Sequence, residues 1–254
     1  MGNILKQKIM FLDRDGTICI DEGGFNQEVC DYEKCINTLK LIDSSFDAIK
    51  KFKQMGFLIV VISNQAGVAK GIFRECDVHR MNKKLNILLD GMIDGFYYCP
   101  HHPDGLDNKG NKRITMRESL IYDCDCRKPN IGLFKEVEED LKKIELKYYD
   151  DNIIKNNIEY LNDTERKNIY KKSLKDNVIL KNKNCDMIMI DKENSYMVGD
   201  KYMDTVAGKN YGIKSVLVLT GEGKYEKKIH ENDIKKNEIL QFKNLEDFFL
   251  YLKI

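Results

Sequence analysis

A chain of 254 residues is long enough to bury a sizeable core, and a single α/β domain over 1–254 that carries insertions is the expected organisation. Charged side chains make up 33% of it but nearly cancel to a formal +1, so no whole-molecule field draws it to nucleic acid or membrane, and any anion must be held by a local site. No apolar run approaches the roughly 18 residues that span a bilayer, and "MGNILKQKIM" lacks the features of an export signal; a soluble, cytoplasmic monomer is expected, its 8 cysteines reduced or ligating metal.

The run "IMFLD" (9–13) is short and continuous instead of alternating, which predicts a buried parallel strand. Phe46, Ile49, Phe52 and Met55 then recur at helical spacing, with Ser44 as a candidate cap and Gly56 as a stop. "FLIVVIS" (57–63) predicts the second strand, Val78, Met81, Leu85 and Leu88 a second helix, and "GFYYC" (95–99) a third strand. A third helical stripe, Phe134, Val137, Leu141 and Ile144, precedes two more strands, "YMVGD" (196–200) and "SVLVLT" (215–220). Each stripe reads as core, not as a cofactor contact. The alternation implies a doubly wound parallel sheet whose ligands sit beyond the carboxyl ends of the strands.

Residues 147–184 interrupt that order. Lys and Asn supply 16 of these 38 residues and the apolar ones keep no period, so a low-complexity, largely solvated insertion is expected, entering at the end of the third helix away from the strand mouths.

The polar motifs fall at predicted strand ends. In "FLDRDGT", Asp13 and Asp15 lie two residues apart, which sends both carboxylates toward the same side, where a cation could join them and Gly16 allows a tight turn. One such carboxylate can attack phosphorus while the other protonates the leaving oxygen. "SNQ" (63–65) offers a hydroxyl, an amide and backbone N–H groups for phosphoryl oxygens, Lys128 a fixed positive charge, and "GDKYMD" brings Asp200 to complete a Mg2+ site. Alone, each motif reads equally well as a turn, a cap or a surface lysine; four in order at four strand ends do not.

Together these motifs resemble the haloacid dehalogenase (HAD) superfamily of Mg2+-dependent phosphohydrolases. "FLDRDGTICIDEGG", "VVISNQAGVAKG", "YYCPHHPDG", "CDCRKP" and "YMVGDKYMDTVAG" are similar to the heptose 1,7-bisphosphate 7-phosphatase group and its histidinol-phosphate phosphatase relatives, over most of 8–135 and 188–223. The resemblance implies a phosphatase acting on a small phosphorylated sugar, without a large cap domain. It makes Asp13 the nucleophile and Asp15 the acid and base, with Ser63 and Lys128 holding the phosphoryl group. Asp21, Gly23, Asn64, Gln65, Arg127 and Lys201 would contact substrate, and Asp13, the Asp15 backbone carbonyl and Asp200 would ligate Mg2+, with Asp204 in support. Histidinol phosphate is the nearest alternative substrate. A polynucleotide 3′-phosphatase lacks the basic stripe it would need, and a catalytically silent zinc-stapled binding protein would not need Asp13, Asp15, Lys128 and Asp200 intact.

Cys99 and His101 of "CPHHP", with Cys124 and Cys126 of "CDC", form a Cys-x-His plus Cys-x-Cys set suited to a closed structural Zn2+ site in the loop 99–126. His102 is an alternative ligand; the resemblance favours His101. Because the thiol pair runs directly into Arg127 and Lys128, zinc there would fix the loop that aims both cations. The sequence departs from the group's pattern at Glu22, where a histidine is common, and in longer connections after Val29, between His101 and Cys124, and at 147–184.

Overall fold

The apolar runs become parallel strands in a computed structural model, which describes residues 2–20, 36–106, 110, 116–181 and 183–253. Two short strands, Ile4–Gln7 (β1) and Ile9–Leu12 (β2), are followed by helix Ser45–Gln54 (α1), strand Leu58–Asn64 (β3), helix Glu75–Leu88 (α2) and strand Gly95–Cys99 (β4). After helix Gly132–Lys142 (α3) come four small elements, Glu145–Lys147 (β5), Asp151–Lys155 (α4), Asp163–Lys167 (α5) and Lys171–Ser173 (β6). The chain continues through Met187–Ile190 (β7), Tyr196–Gly199 (β8), Tyr202–Tyr211 (α6), Lys214–Val218 (β9), Gly223–Ile229 (α7), Glu231–Lys236 (α8), Leu240–Phe242 (β10) and Leu245–Leu252 (α9).

Six strands form the main sheet in the order β10-β9-β8-β2-β3-β4, every pairing parallel. The central β2 shows why its sequence is apolar without interruption. Met10 and Leu12 enter one core with Ile49, Phe52 and Phe248, while Ile9 and Phe11 enter the other with Phe134, Val137, Leu141 and Met197. Helices therefore cover both faces, and each large buried side chain contributes about 1.5–3 kcal/mol through area removed from water. Among the described residues no helix is long and apolar enough to cross a membrane.

Local expectations hold with corrections. Gly56 ends α1 at φ +85°, but Ser44, at φ +68°, makes no side-chain cap bond, and its buried hydroxyl has no hydrogen-bond partner among the described residues. The third helix stops before Ile144, which turns at φ +59° and still packs on the second core. The edge strand β10, three half-buried residues long, carries too little pattern to be read from sequence.

The segment 147–184 is mostly exposed, as its composition suggests, but it is tied into the fold at specific points. Ile153, Ile169, Leu174 and Leu180 are buried, β6 pairs antiparallel with β5, and Arg166 lies inside against Glu75, with Nε 3.0 Å from Oε1. The segment also satisfies helix-start donors that have no partner within α2: the Glu75 and Cys76 N–H groups donate to the Glu159 and Ile158 carbonyls at 2.8 and 3.0 Å. It begins against the outer strand β4, where a Cβ on Gly95 would stand 3.3 Å from Lys147 O and where Lys147 N donates to Tyr97 Oη at 3.0 Å. An otherwise open sheet edge is thereby covered. The segment enters at the end of α3 away from the strand mouths, as expected, and Asp163 then reaches His101, two residues beyond β4. Its elements are only three to five residues long, and of its buried residues named above Ile169, Leu174 and Leu180 stand in the links between them, so no period shows.

Candidate active site and metal cluster

Strands β2, β3 and β8 end on the same side of the sheet, which brings Asp13, Ser63 and Asp200 together. Lys128 enters from the loop before α3 and is 2% exposed; its Nζ donates to Asp13 Oδ1 and Ile62 O at 2.6 and 2.8 Å and stands 2.6 Å from Asp204 Oδ1. Gly16, at φ +81°, makes the turn after β2, and a Cβ there would fall 2.2 Å from Asp200 Oδ2. Thr220 Oγ1 donates to Gly16 O at 2.7 Å and holds that turn against the loop after β9. The glycine is required twice, by its backbone angle and by the space the carboxylate occupies.

Carboxylate oxygens of Asp13, Asp200 and Asp204 all lie within 4.8 Å of one another. Burial raises Asp13 to about 6; the repulsion of Asp204 and Asp15 adds to that, and Lys128 opposes it. Burial together with Asp13 and Asp204 raises Asp200 to about 8. Lys128 is pulled down by burial, yet Asp13 and Asp204 outweigh this and hold it charged. Asp200 Oδ2 accepts the Glu222 N–H at 2.8 Å, but the buried Oδ1 has no partner among the described residues. Both Asp204 oxygens are engaged, by Lys128 and by the Lys201 N–H at 3.1 Å. Crowded oxygen donors, one of them orphaned, fit a small hard dication such as Mg2+, with Asp13 and Asp200 offering ligands and Asp204 bracing Lys128.

The Asp15 carboxylate stands outside this cluster. Arg14 grips it with Nε and Nη2 at 3.0 and 2.9 Å, and Gln65 Nε2 donates to it at 2.9 Å. Burial works to raise its pKa, and the guanidinium and these hydrogen bonds outweigh burial to hold it below the ordinary value. Arg14, itself buried, also donates to Gln65 Oε1 and Asn82 Oδ1; sequence reading passed over it, although a basic residue flanked by two acids was the available signal.

Two residues expected to contact substrate also bind the protein. Asn64 clamps the Lys128 backbone, donating to its carbonyl at 3.1 Å and accepting its N–H at 3.0 Å, and Gln65 joins Arg14, Asp15 and Ser63. Arg127 Nη1 donates to His101 O at 3.2 Å, and the Lys201 ammonium stands 3.9 Å from Glu222 at the rim. Asp21 and Gly23 lie outside the described residues.

Cys99, His101, Cys124 and Cys126 converge as the sequence suggests. Cys99 Sγ is 3.5 Å from Cys124 Sγ and 3.6 Å from His101 Nδ1; Cys126 Sγ is 3.3 Å from Cys124 Sγ and 3.1 Å from His101 Nδ1. A tetrahedron built on bonds of about 2.3 Å has edges of roughly 3.8 Å, so four donors of this type at these spacings fit zinc. Burial, aided by a hydrogen bond to Cys124, pushes the Cys99 thiol up to about 12, and the close Cys124–Cys126 contact lowers the first thiol and raises the second. A cation at the centre would favour all three as thiolates. His102 faces elsewhere and accepts the Gly105 N–H at 2.9 Å. Cys19 and Cys76 are buried apart from the cluster, and Cys185 is half-buried.

Residues 125–247 match a family model described as "HAD-hyrolase-like". The D-glycero-beta-D-manno-heptose-1,7-bisphosphate 7-phosphatase of Haemophilus influenzae is 32% identical over 219 residues, covering 85% of this chain and 83% of that protein. The chain belongs to the HAD-superfamily phosphatases. The equivalent phosphatase of Escherichia coli K12 is 32% identical over 218 residues, 84% of this chain and 80% of that one. At the level of fold, this HAD phosphatase superposes on the D,D-heptose 1,7-bisphosphate phosphatase of B. bronchiseptica, crystallised with magnesium and phosphate, with a TM-score of 0.59 at 20% identity, covering 97% and 98% of the two chains.

Proposed function

We propose that the chain is a Mg2+-dependent phosphomonoesterase that removes phosphate from a small phosphorylated sugar of the heptose bisphosphate class, carrying the phosphoryl group transiently on Asp13. The relatives' substrate supports the sugar class. The observation that carries the chemistry is the arrangement of Asp13, Lys128 and the unpartnered Asp200 oxygen at one strand mouth.

An Asp13 oxygen attacks phosphorus as the bond to the sugar oxygen breaks, and the departing oxygen takes the Asp15 proton. Asp15, now a carboxylate, removes a proton from water; the water oxygen bonds to phosphorus and the Asp13 carboxylate is released with inorganic phosphate. Arg14 holds Asp15 in the ionised form that the second step needs. The first step needs the protonated form, which a phosphate dianion nearby favours because negative charge raises a carboxyl pKa. Lys128 balances charge on the phosphoryl oxygens. Ser63 Oγ accepts from Gln65 Nε2 at 2.6 Å, which leaves its own proton to donate to phosphate. Mg2+, when bound by Asp13, Asp200 and the Asp15 carbonyl, neutralises charge on the phosphoryl group. Zn2+ in the Cys/His cluster is a structural ion, since four protein donors leave no position for a reactive water.

Phosphate release from sugar mono- and bisphosphates, histidinol phosphate and 3′-phosphorylated DNA, each with and without added Mg2+, tests this reading. It expects Mg2+-dependent turnover greatest on a heptose bisphosphate. Preference for histidinol phosphate or DNA ends, or turnover indifferent to Mg2+, overturns it.

A further inference from the structure

The inner nitrogen of His101 faces the thiols, and its outer nitrogen is held with equal care. Nε2 is 3.0 Å from Asp163 Oδ1 and 2.8 Å from Tyr122 Oη, and the Tyr122 hydroxyl donates to Asp163 Oδ2, closing a triangle. The Tyr122 ring packs against the imidazole at a tilt of 48°, with centroids 4.5 Å apart. Asp163 is fixed in turn by Arg166, whose Nη1 donates to Oδ1 at 2.8 Å while its remaining nitrogens reach Glu75 at 3.0 and 3.3 Å. A cavity of about 510 Å³ opens beside the cluster, lined by His101, Tyr122, Cys124, Cys126, Asp163 and Arg166, and offers an ion a way in.

We propose that Asp163 and Tyr122 are the positioning residues of His101 as a zinc ligand, so that the 147–184 segment completes the metal loop. This rests on the zinc reading above. A ligating Nδ1 must carry a lone pair, which places the ring proton on Nε2; a carboxylate accepting that proton selects the tautomer, fixes the ring plane and makes Nδ1 the stronger donor. The hydroxyl accepts a share of the same N–H and gives its own proton to Asp163. Zinc affinity and docking of α5 are then coupled, since each is favoured by the other.

The test is zinc affinity by competition with a chromogenic chelator, on the full chain. Asp163 is 55% exposed on its side chain, so Asp163→Ala should remain folded. The expected loss is about 10–100-fold in affinity, with a smaller loss for Tyr122→Phe, which keeps the ring contact. Adding zinc to metal-free protein should slow amide exchange in α5 of the wild type and not of Asp163→Ala, and the nitrogen NMR spectrum of His101 should show Nε2 protonated in the zinc form. Equal zinc affinity of wild type and both variants overturns the inference alone. A wild type that takes up no zinc overturns the metal site and the inference with it.

Discussion

On the proposed chemistry Asp13 is both nucleophile and metal ligand, so its amide variant loses both roles while keeping its shape. Asp13→Asn should retain the fold and lose at least about a thousandfold in turnover, as other covalent nucleophiles do when removed. Near-native phosphate release by that variant would exclude the covalent route. Gly16 tests the same corner from the backbone. Alanine there carries a strained positive φ, on the order of 1–3 kcal/mol, and its Cβ must displace Asp200. Gly16→Ala should therefore lower both the melting temperature and Mg2+ affinity; calorimetry would detect either change. Asp13, Ser63 and Asp200 were legible because each ends an unbroken apolar run. The grip of Arg14 on Asp15 was not, because the same residues in sequence suit a solvated turn, and only burial forces the guanidinium onto the carboxylate.

At the scale of elements, the 147–184 segment holds α2, β4 and the metal loop together. Glu75 is fully buried, and its carboxylate meets Arg166 and the Tyr98 hydroxyl, the latter at 2.6 Å. Removing the cation leaves an uncompensated buried charge, which costs about 3–5 kcal/mol. Arg166→Ala should thus lower the melting temperature by about 2–4 °C per kcal/mol in a chain of this size. A change within 2 °C would show that the segment adds little to the fold. Replacing all of 147–184 by a flexible linker, which its composition seemed to permit, should destabilise the protein by uncovering β4 and the start of α2. The short elements that do this are paired with residues such as Glu75, 91 positions from Arg166, so no local pattern announces them.

Across the whole molecule, acidic charge is concentrated at one strand mouth although the chain is nearly neutral. Without metal, Asp13 and Asp200 hold protons to about 6 and about 8, whereas in the unfolded chain they release them near 3.8. The stability these protons provide is fully present below about pH 3.8 and is lost as pH rises through 6 and 8, because the folded state then binds more protons than the unfolded one. On the proposed chemistry, Mg2+ binds the deprotonated carboxylates. At pH 6 it must displace the Asp200 proton, which weakens apparent affinity on the order of a hundredfold relative to pH above 8. Added Mg2+ should raise the melting temperature more at pH 8.5 than at pH 6; an equal rise at both would show that these carboxylates are already ionised at pH 6.

Sequence alone determined the doubly wound sheet, because strands buried on both faces must be apolar throughout and the helices covering them must carry a stripe. It also determined which residues stand at the strand mouths and, but for the choice between His101 and His102, which four form the Cys/His cluster, since strand ends and x-spaced thiols are local features. Tertiary structure decided the rest. Asn64 became a backbone clamp and Gln65 an inner brace because their amides met buried partners before they could meet solvent. The Lys- and Asn-rich segment meets the Cys/His cluster because Asp163, 62 residues from His101, lands beside the same buried ring nitrogen that Tyr122 reaches.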